Sequence, residues 1–424
     1  MSDMNRRDLL KLCGLTGLSL TTPVGLSAET REPDPHEGPF YLVFNASGGW
    51  DTTYIMDPKG TDGINRLYRE GDIQSIGNLR CAPIKKHIEK GLSTEDFFRK
   101  YGSELMVYNG LDYSVNNHSP CSRYTATGKL DSTLYPTFAA LVAACQGPDC
   151  PLAFLTFGNY SATGNLVPMA RIPYLPTLKK IAQADSPGGS HKYHDDFVLD
   201  RIERTLKEQF DARSVQTQLP RTARAQSTLY AAQLNSKALK RALPHISSPP
   251  QGRLPQQAEI ALSSFKAGIC VSANLSIGQF DSHGNNDRDQ MKLIPEFLAG
   301  IDYALNRAEQ LGIRDRLVVI IQSEMGRTPH YNKGDGKDHW SIGSIMFLGH
   351  EIKGNRLLGE TDGRQFALPF DPKALKPAKE NGIRVRPEHV HTALRQHAGI
   401  EQHEFSKRFP MKVPEAEQLK NFWG

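Results

Sequence analysis

The chain has 424 residues, 38% hydrophobic and 23% charged, a composition of the globular kind rather than a disordered or fibrous one. That length buries a large core, in one large α/β domain or two ordinary ones. The formal charge of +5 is spread along the chain without a Lys/Arg run, which excludes a nucleic-acid footprint.

The N-terminal stretch MNRRDLLKLCGLTGLSLTTPVGLSA sets Arg6 and Arg7 before a mildly apolar segment that ends at the small residue Ala28. This is the layout of a signal peptide over residues 1–28. Its R-R-x-x-L-K arrangement resembles a twin-arginine signal, which exports proteins already folded. The expected location is therefore periplasmic or secreted, with the twin-arginine machinery as a partner. No later segment approaches ~18 uninterrupted apolar residues, so no membrane span is expected. Cys13 falls in the leader and leaves Cys81, Cys121, Cys145, Cys150 and Cys270, an odd set. Cys145 and Cys150 in CQGPDC are close enough to bridge in an oxidising compartment, or stand as free thiols near a loop.

After the Pro-rich lead-in TREPDPHEGP, short apolar runs rich in Val, Ile and Phe recur: PFYLVFNASGG, SELMVYNGLD, PLAFLTFGN, KAGICVSANLSIGQFDSH, DRLVVIIQSEMGR and GSIMFLGHE. Each reads as a strand buried on both faces. Helical patterns lie between them. Ile294, Leu298, Ile301, Leu305 and Ala308 fall on one helical face that stops near Gly312, with Pro295 blurring its start. Strands alternating with helices predict an α/β protein, a three-layer αβα sandwich with a mostly parallel central sheet. The charge-rich stretch of about 190–257 breaks the alternation. It carries Leu199, Ile202, Leu206 and Phe210 on one stripe and ends in the linker PHISSPPQGRLPQQ. It reads as a helical insertion into a single domain spanning 29–424, either part of a lid or a plain outer helix layer.

In an open parallel sheet, ligands bind outside the carboxyl ends of the strands. The first strand runs into NASGGWDTT, whose paired glycines allow close backbone approach before Asp51. The second leads to His118, Ser119, Cys121, Ser122 and Arg123. FDSHGNN supplies Asp281 and His283, which project to one face of an extended segment. QSEMGR supplies Glu324 and Arg327, and NKGDGKDHW supplies Asp338 and His339. Singly, each has an ordinary explanation, such as a turn cap for Asp51 or an ion pair between Glu324 and Arg327. Gathered at one rim, the carboxylates would repel one another without a counter-charge, which one or two divalent metal ions would supply. The Asp, Glu and His mixture points first to Zn²⁺, with Mn²⁺, Fe²⁺ or Ca²⁺ as alternatives.

FDSHGNN, a helix, and then VVIIQSEMGRTPHYNKGDGKDHW resemble the signature of the domain-of-unknown-function family 1501. That family's pattern runs F-D-T-H, S-E-F-G-R-T and G-T-D-H-G. GGWDTT matches its first motif, and the spacing from His118 to Gly128 fits its second. The resemblance covers the chain from about Gly38 onward. Its members resemble the alkaline phosphatase/sulfatase superfamily, which implies an alkaline-phosphatase-like fold. It also implies Asp51 as a first-strand metal ligand and Asp281 and His283 as ligands of one ion. Glu324 and His339 would complete the cluster, and Asp338 would orient a neighbour. His118, Ser119 and Ser122 fall where the superfamily keeps its nucleophile loop. Related sulfatases read C/S-x-P-S-R there, whereas SPCSR has its proline one place early, so neither Ser119 nor Cys121 fits cleanly. Trp340 replaces a glycine and would narrow the pocket.

The expected activity is hydrolysis of a phosphate or sulfate ester, including sulfated or phosphorylated saccharides. Arg123 or Arg327 would hold the anionic oxygens, with a structural ion pair as the alternative role for each. A non-catalytic exported binding or assembly protein with a structural metal is the rival expectation.

Overall fold

A computed structural model describes residues 34–424 except 184, 187–191, 217, 218, 220, 221, 223–237 and 379–381. The expected leader and part of the expected insertion fall outside these residues. The central sheet is built from β1 (Phe40–Ala46), β2 (Met106–Asp112), β3 (Phe154–Thr156), β4 (Met169–Ala170), β5 (Ser272–Ile277), β6 (Leu317–Gln322), β7 (Ile342–Gly349) and β8 (Arg356–Leu358). Its order is β8-β2-β7-β6-β1-β5-β3-β4. Six of these are the apolar runs expected from sequence, and β1, β2, β5 and β6 are buried along their whole length.

The longer helices among the described residues are α1 (Thr94–Tyr101), α2 (His118–Thr127), α3 (Phe138–Gln146), α4 (Leu175–Ala182), α5 (Asp196–Gln216), α6 (Arg253–Lys266), α7 (Asn286–Gln310) and α8 (Pro387–His397). Period-2 alternation along β1 assigns them to layers. Phe40, Leu42, Phe44 and Ala46 face a core shared with α1, α4, α6 and α7. Tyr41 and Val43 face the opposite core, shared with α2, α3 and α8. The three-layer arrangement and the mostly parallel sheet are therefore as expected. The helical stripe from Ile294 to Ala308 is fully interior, and α7 runs straight through Pro295.

One strand departs from the expectation. β7 runs antiparallel to both neighbours, β2 and β6, while β1 is parallel to β5 and β6. Continuous apolarity marks a strand as buried but carries no direction. The reversal matters for the site. The other strands deliver their trailing loops to one rim, whereas β7 delivers the residues that precede it, His339 and Trp340. In the region read as an insertion, α5 is present, with Leu199, Leu206 and Phe210 half-buried and Ile202 exposed. The segment read as linker is shorter than expected, because α6 begins at Arg253 and buries Leu254. Cys145 and Cys150 are free thiols here. No helix among the described residues is long and apolar enough to cross a membrane.

Candidate metal centre

The rim forms where the loops after β1 and β5 touch. Gly48 and Gly49 adopt φ of +119° and +91°. A Cβ on Gly48 would come 2.5 Å from the Asp281 backbone nitrogen, so only glycine permits the approach. The NKGDGKDHW loop then lies on the Asp281–Asn286 loop. Lys337 N donates to Ser282 O (3.0 Å), Asn332 Nδ2 to His283 O (3.0 Å), and Asn286 N to Asp335 O (2.9 Å). Helix α2 starts beside them, capped by the Asn117 side chain, with His118 in its first turn.

His118, His283 and His339 are held in the same manner. His339 Nδ1 lies 2.9 Å from Asn116 O, His283 Nδ1 lies 2.8 Å from Asp338 Oδ1, and His118 Nδ1 lies 3.2 Å from Glu324 Oε1. A carbonyl or carboxylate oxygen only accepts, so each Nδ1 donates, and each neutral ring presents its Nε2 lone pair. Those lone pairs converge. The Nε2 atoms of His283 and His339 are 3.0 Å apart, and each is 3.1 Å from Asp281 Oδ1. His118 Nε2 lies 3.3 Å from Asp281 Oδ2, without hydrogen-bond geometry. His118, Asp281 and His339 offer ligand atoms that all lie within 4.8 Å of one another.

Two lone pairs facing at 3.0 Å repel unless a proton or cation lies between them. The buried Glu324 adds a second sign of the same kind, because its Oε2 has no hydrogen-bond partner. The donor set of imidazoles and one carboxylate fits a divalent metal ion, with the carboxylate–histidine pairing that orients metal ligands. The site also reaches solvent. The side chains of His118, Asp281 and His283 are 38%, 42% and 46% exposed, as an open coordination position needs and a closed structural site does not.

Burial works to raise the Asp281 carboxyl, but the hydrogen bond and charge of Arg327, with His339 and His118, outweigh it and hold the group at about 2. The hydrogen bond from His118 to Glu324 raises the pKa of His118, against its partial burial. The His283 bond lowers that of Asp338.

The expected roles are redistributed by this geometry. Asp281, His283 and His339 come together as ligand-type groups. His118, expected in a nucleophile loop, joins them. Glu324 and Asp338 sit one bond further out as the acceptors that aim His118 and His283. Asp51 lies in a separate buried corner, where Lys337 Nζ donates to its Oδ2 at 2.6 Å. Arg327 is fully buried. Its Nε donates to Gly49 O (2.8 Å), its Nη1 to Lys337 O (3.0 Å), and its Nη2 to Gly48 O and to Asp281 Oδ1 (2.8 Å). Arg123 donates twice to Leu130 O. Both guanidinium groups therefore clamp protein oxygens.

Ser119 is exposed and Ser122 half-buried on α2. Cys121 is buried, with its thiol bonded to Val115 O and pushed up by burial to about 12, far from a reactive thiolate. In the two-residue strand His339–Trp340, Trp340 points to the opposite side from His339, packs against Phe366 and donates to Gln365 O. Sequence reading missed Asn116 and Lys337. A backbone carbonyl acceptor has no sequence signal, and a lysine in a Gly/Asp-rich loop reads as solvated.

A search of the curated proteins finds no match. Among solved structures, similar chains include a 2-O GAG sulfatase (11% identity, TM-score 0.32, covering 90% of this chain and 72% of that one). Others are the PsFucS1 sulfatase from Pseudoalteromonas sp. (8%, 0.36, 86% and 68%) and the lipoteichoic acid synthase LtaP from Listeria monocytogenes (8%, 0.32, 76% and 68%). The family model described as Protein of unknown function (DUF1501) matches residues 42–409, most of the chain, and the protein belongs to that family.

Proposed function

We propose that this protein is an exported, metal-dependent hydrolase of phosphate or sulfate esters, with sulfated or phosphorylated saccharides as its substrate class. The observation that carries the proposal is the convergence of the Nε2 atoms of His118, His283 and His339 on Asp281 at a solvent-exposed rim. His118, His283, His339 and Asp281 would hold the ion. A donor set richer in imidazole than in carboxylate favours Zn²⁺, Mn²⁺ or Fe²⁺ over Ca²⁺, which takes about six to eight oxygen ligands. Bound there, a divalent ion would polarise an ester oxygen and lower the pKa of water to about 7.

The chain's own contribution is preorganisation. Asp338, Glu324 and Asn116 fix the ring orientations, and Arg327 ties Asp281 to the glycine turn and to the NKGDGKDHW loop. The test is a panel of aryl and sugar sulfates and of phosphate mono- and diesters, assayed with Zn²⁺, Mn²⁺, Fe²⁺ and Ca²⁺. Turnover that requires the metal and vanishes in His339→Ala supports the proposal. Silence across the panel with retained metal supports the second reading, a non-catalytic exported binding or assembly protein. What favours that rival is the engagement of Arg123 and Arg327 with protein oxygens, which leaves neither poised as an anion clamp.

A further inference from the structure

We infer that the buried pair Asp51–Lys337 is the anchor that docks the metal-bearing loop, a built-in counter-ion that leaves the rim with a single divalent ion. This rests on the metal reading above. The Asp51 and Lys337 side chains are both 0% exposed, with Nζ and Oδ2 2.6 Å apart. A carboxylate offers about four lone-pair sites, and four donors use those of Asp51. Oδ1 accepts from Thr53 N (3.1 Å) and Thr53 Oγ1 (2.6 Å), while Oδ2 accepts from Asn286 Nδ2 (3.0 Å) and Lys337 Nζ. Nothing is left on Asp51 to hold an ion.

Lys337 stands immediately before Asp338 and His339, which orient and supply imidazole donors. Its ammonium is enclosed by the rings of Tyr54 and Tyr331, 5.5 and 5.1 Å away, whose hydroxyls both donate to Asp287 Oδ1 at 2.6 Å. Its backbone is held from both sides, by Ser282 O on its N–H and by Arg327 on its carbonyl. Removing either charge strands the other as an uncompensated buried ion. The cheapest relief is for the loop to lift, which carries His339 away from Asp281. Asp51 thus acts on the metal through the loop, as a positioning residue.

The test is calorimetric titration of Zn²⁺ and Mn²⁺ into chelator-treated full-length protein: wild type, Asp51→Asn, Lys337→Met and the double variant. The expected result is one ion per wild-type chain, a 10–100-fold loss of affinity in each single variant, and recovery of most of that loss in the double variant. If the single variants do not fold, the double variant decides. Wild-type-like affinity in it supports the anchor, and loss of binding overturns it. Two ions per chain or tighter binding in Lys337→Met would make Asp51 a ligand and overturn the inference. Equal affinity in all four proteins overturns the anchor alone, while a wild type that takes no ion overturns the metal reading with it. Ester turnover enters none of these readouts, so failure of the hydrolase proposal stays separate.

Discussion

Three histidines at the rim do the same job through different acceptors. His118 and His283 donate to carboxylates, and His339 to a backbone carbonyl. A carboxylate acceptor makes an imidazole the more basic ligand, so under the proposed metal reading Asp338 would influence the ion without touching it. Asp338→Asn keeps the size of the side chain and removes its charge. We expect metal affinity to fall about 10–100-fold, measured by titration calorimetry, with the metal-free protein still folded. An unchanged affinity would mean that Asp338 does not tune His283. At this scale the sequence revealed which residue types meet but not their roles. FDSHGNN and KDHW announced Asp281, His283 and His339 through spacing. Whether Glu324 binds an ion or aims His118 depends on which oxygen faces which ring nitrogen, and spacing cannot encode that. Arg327 was legible as a charge near Glu324. That its guanidinium is consumed by Gly48, Gly49, Lys337 and Asp281 follows only from the folded loops.

Helix α2 brings His118 to the rim, and α8 holds α2 in place. His391 on α8 is 4% exposed and donates from Nε2 to Thr125 O at 2.8 Å. Gly128, which ends α2 at φ +69°, packs against the same ring, and a Cβ there would meet His391 at 2.7 Å. Burial pushes the pKa of His391 from an ordinary 6.5 down to about 4. Between those values the unfolded chain binds a proton that the folded chain refuses. Stability that is intact above 6.5 is therefore lost as pH falls toward 4. By about pH 4.5 the loss from this residue is on the order of 2 kcal/mol. Urea unfolding at about pH 7 and 4.5 should show a larger acid loss for wild type than for His391→Gln, by roughly that amount. Equal losses would contradict it. None of this was visible in sequence, where His391 reads as one more helical histidine and only the packing of α8 on α2 removes it from water.

Across the whole molecule, the site exists because the sheet sends distant stretches of chain to one rim. β1, β5 and β6 are adjacent and parallel, so their trailing loops carry Gly48, Asp281 and Glu324 to the same edge. Reversal of β7 adds His339 from its leading end. The layered architecture was legible because long apolar runs are costly anywhere but in a sheet covered on both faces. The direction of β7, and strands as short as Met169–Ala170, were not legible, since neither leaves a periodic signal. The proposed twin-arginine route would export the chain already folded, so that its metal would be loaded before crossing. Replacing Arg6 and Arg7 by Lys should leave the protein in the cytoplasmic fraction. Normal recovery outside the cytoplasm would remove the twin-arginine reading.

The most direct test is the metal content of purified mature protein beside an Asp281→Ala, His283→Ala variant, measured by mass spectrometry together with a check that both are folded. One divalent ion per wild-type chain and none in the folded variant is the predicted result. The same metal content in both proteins would contradict the site.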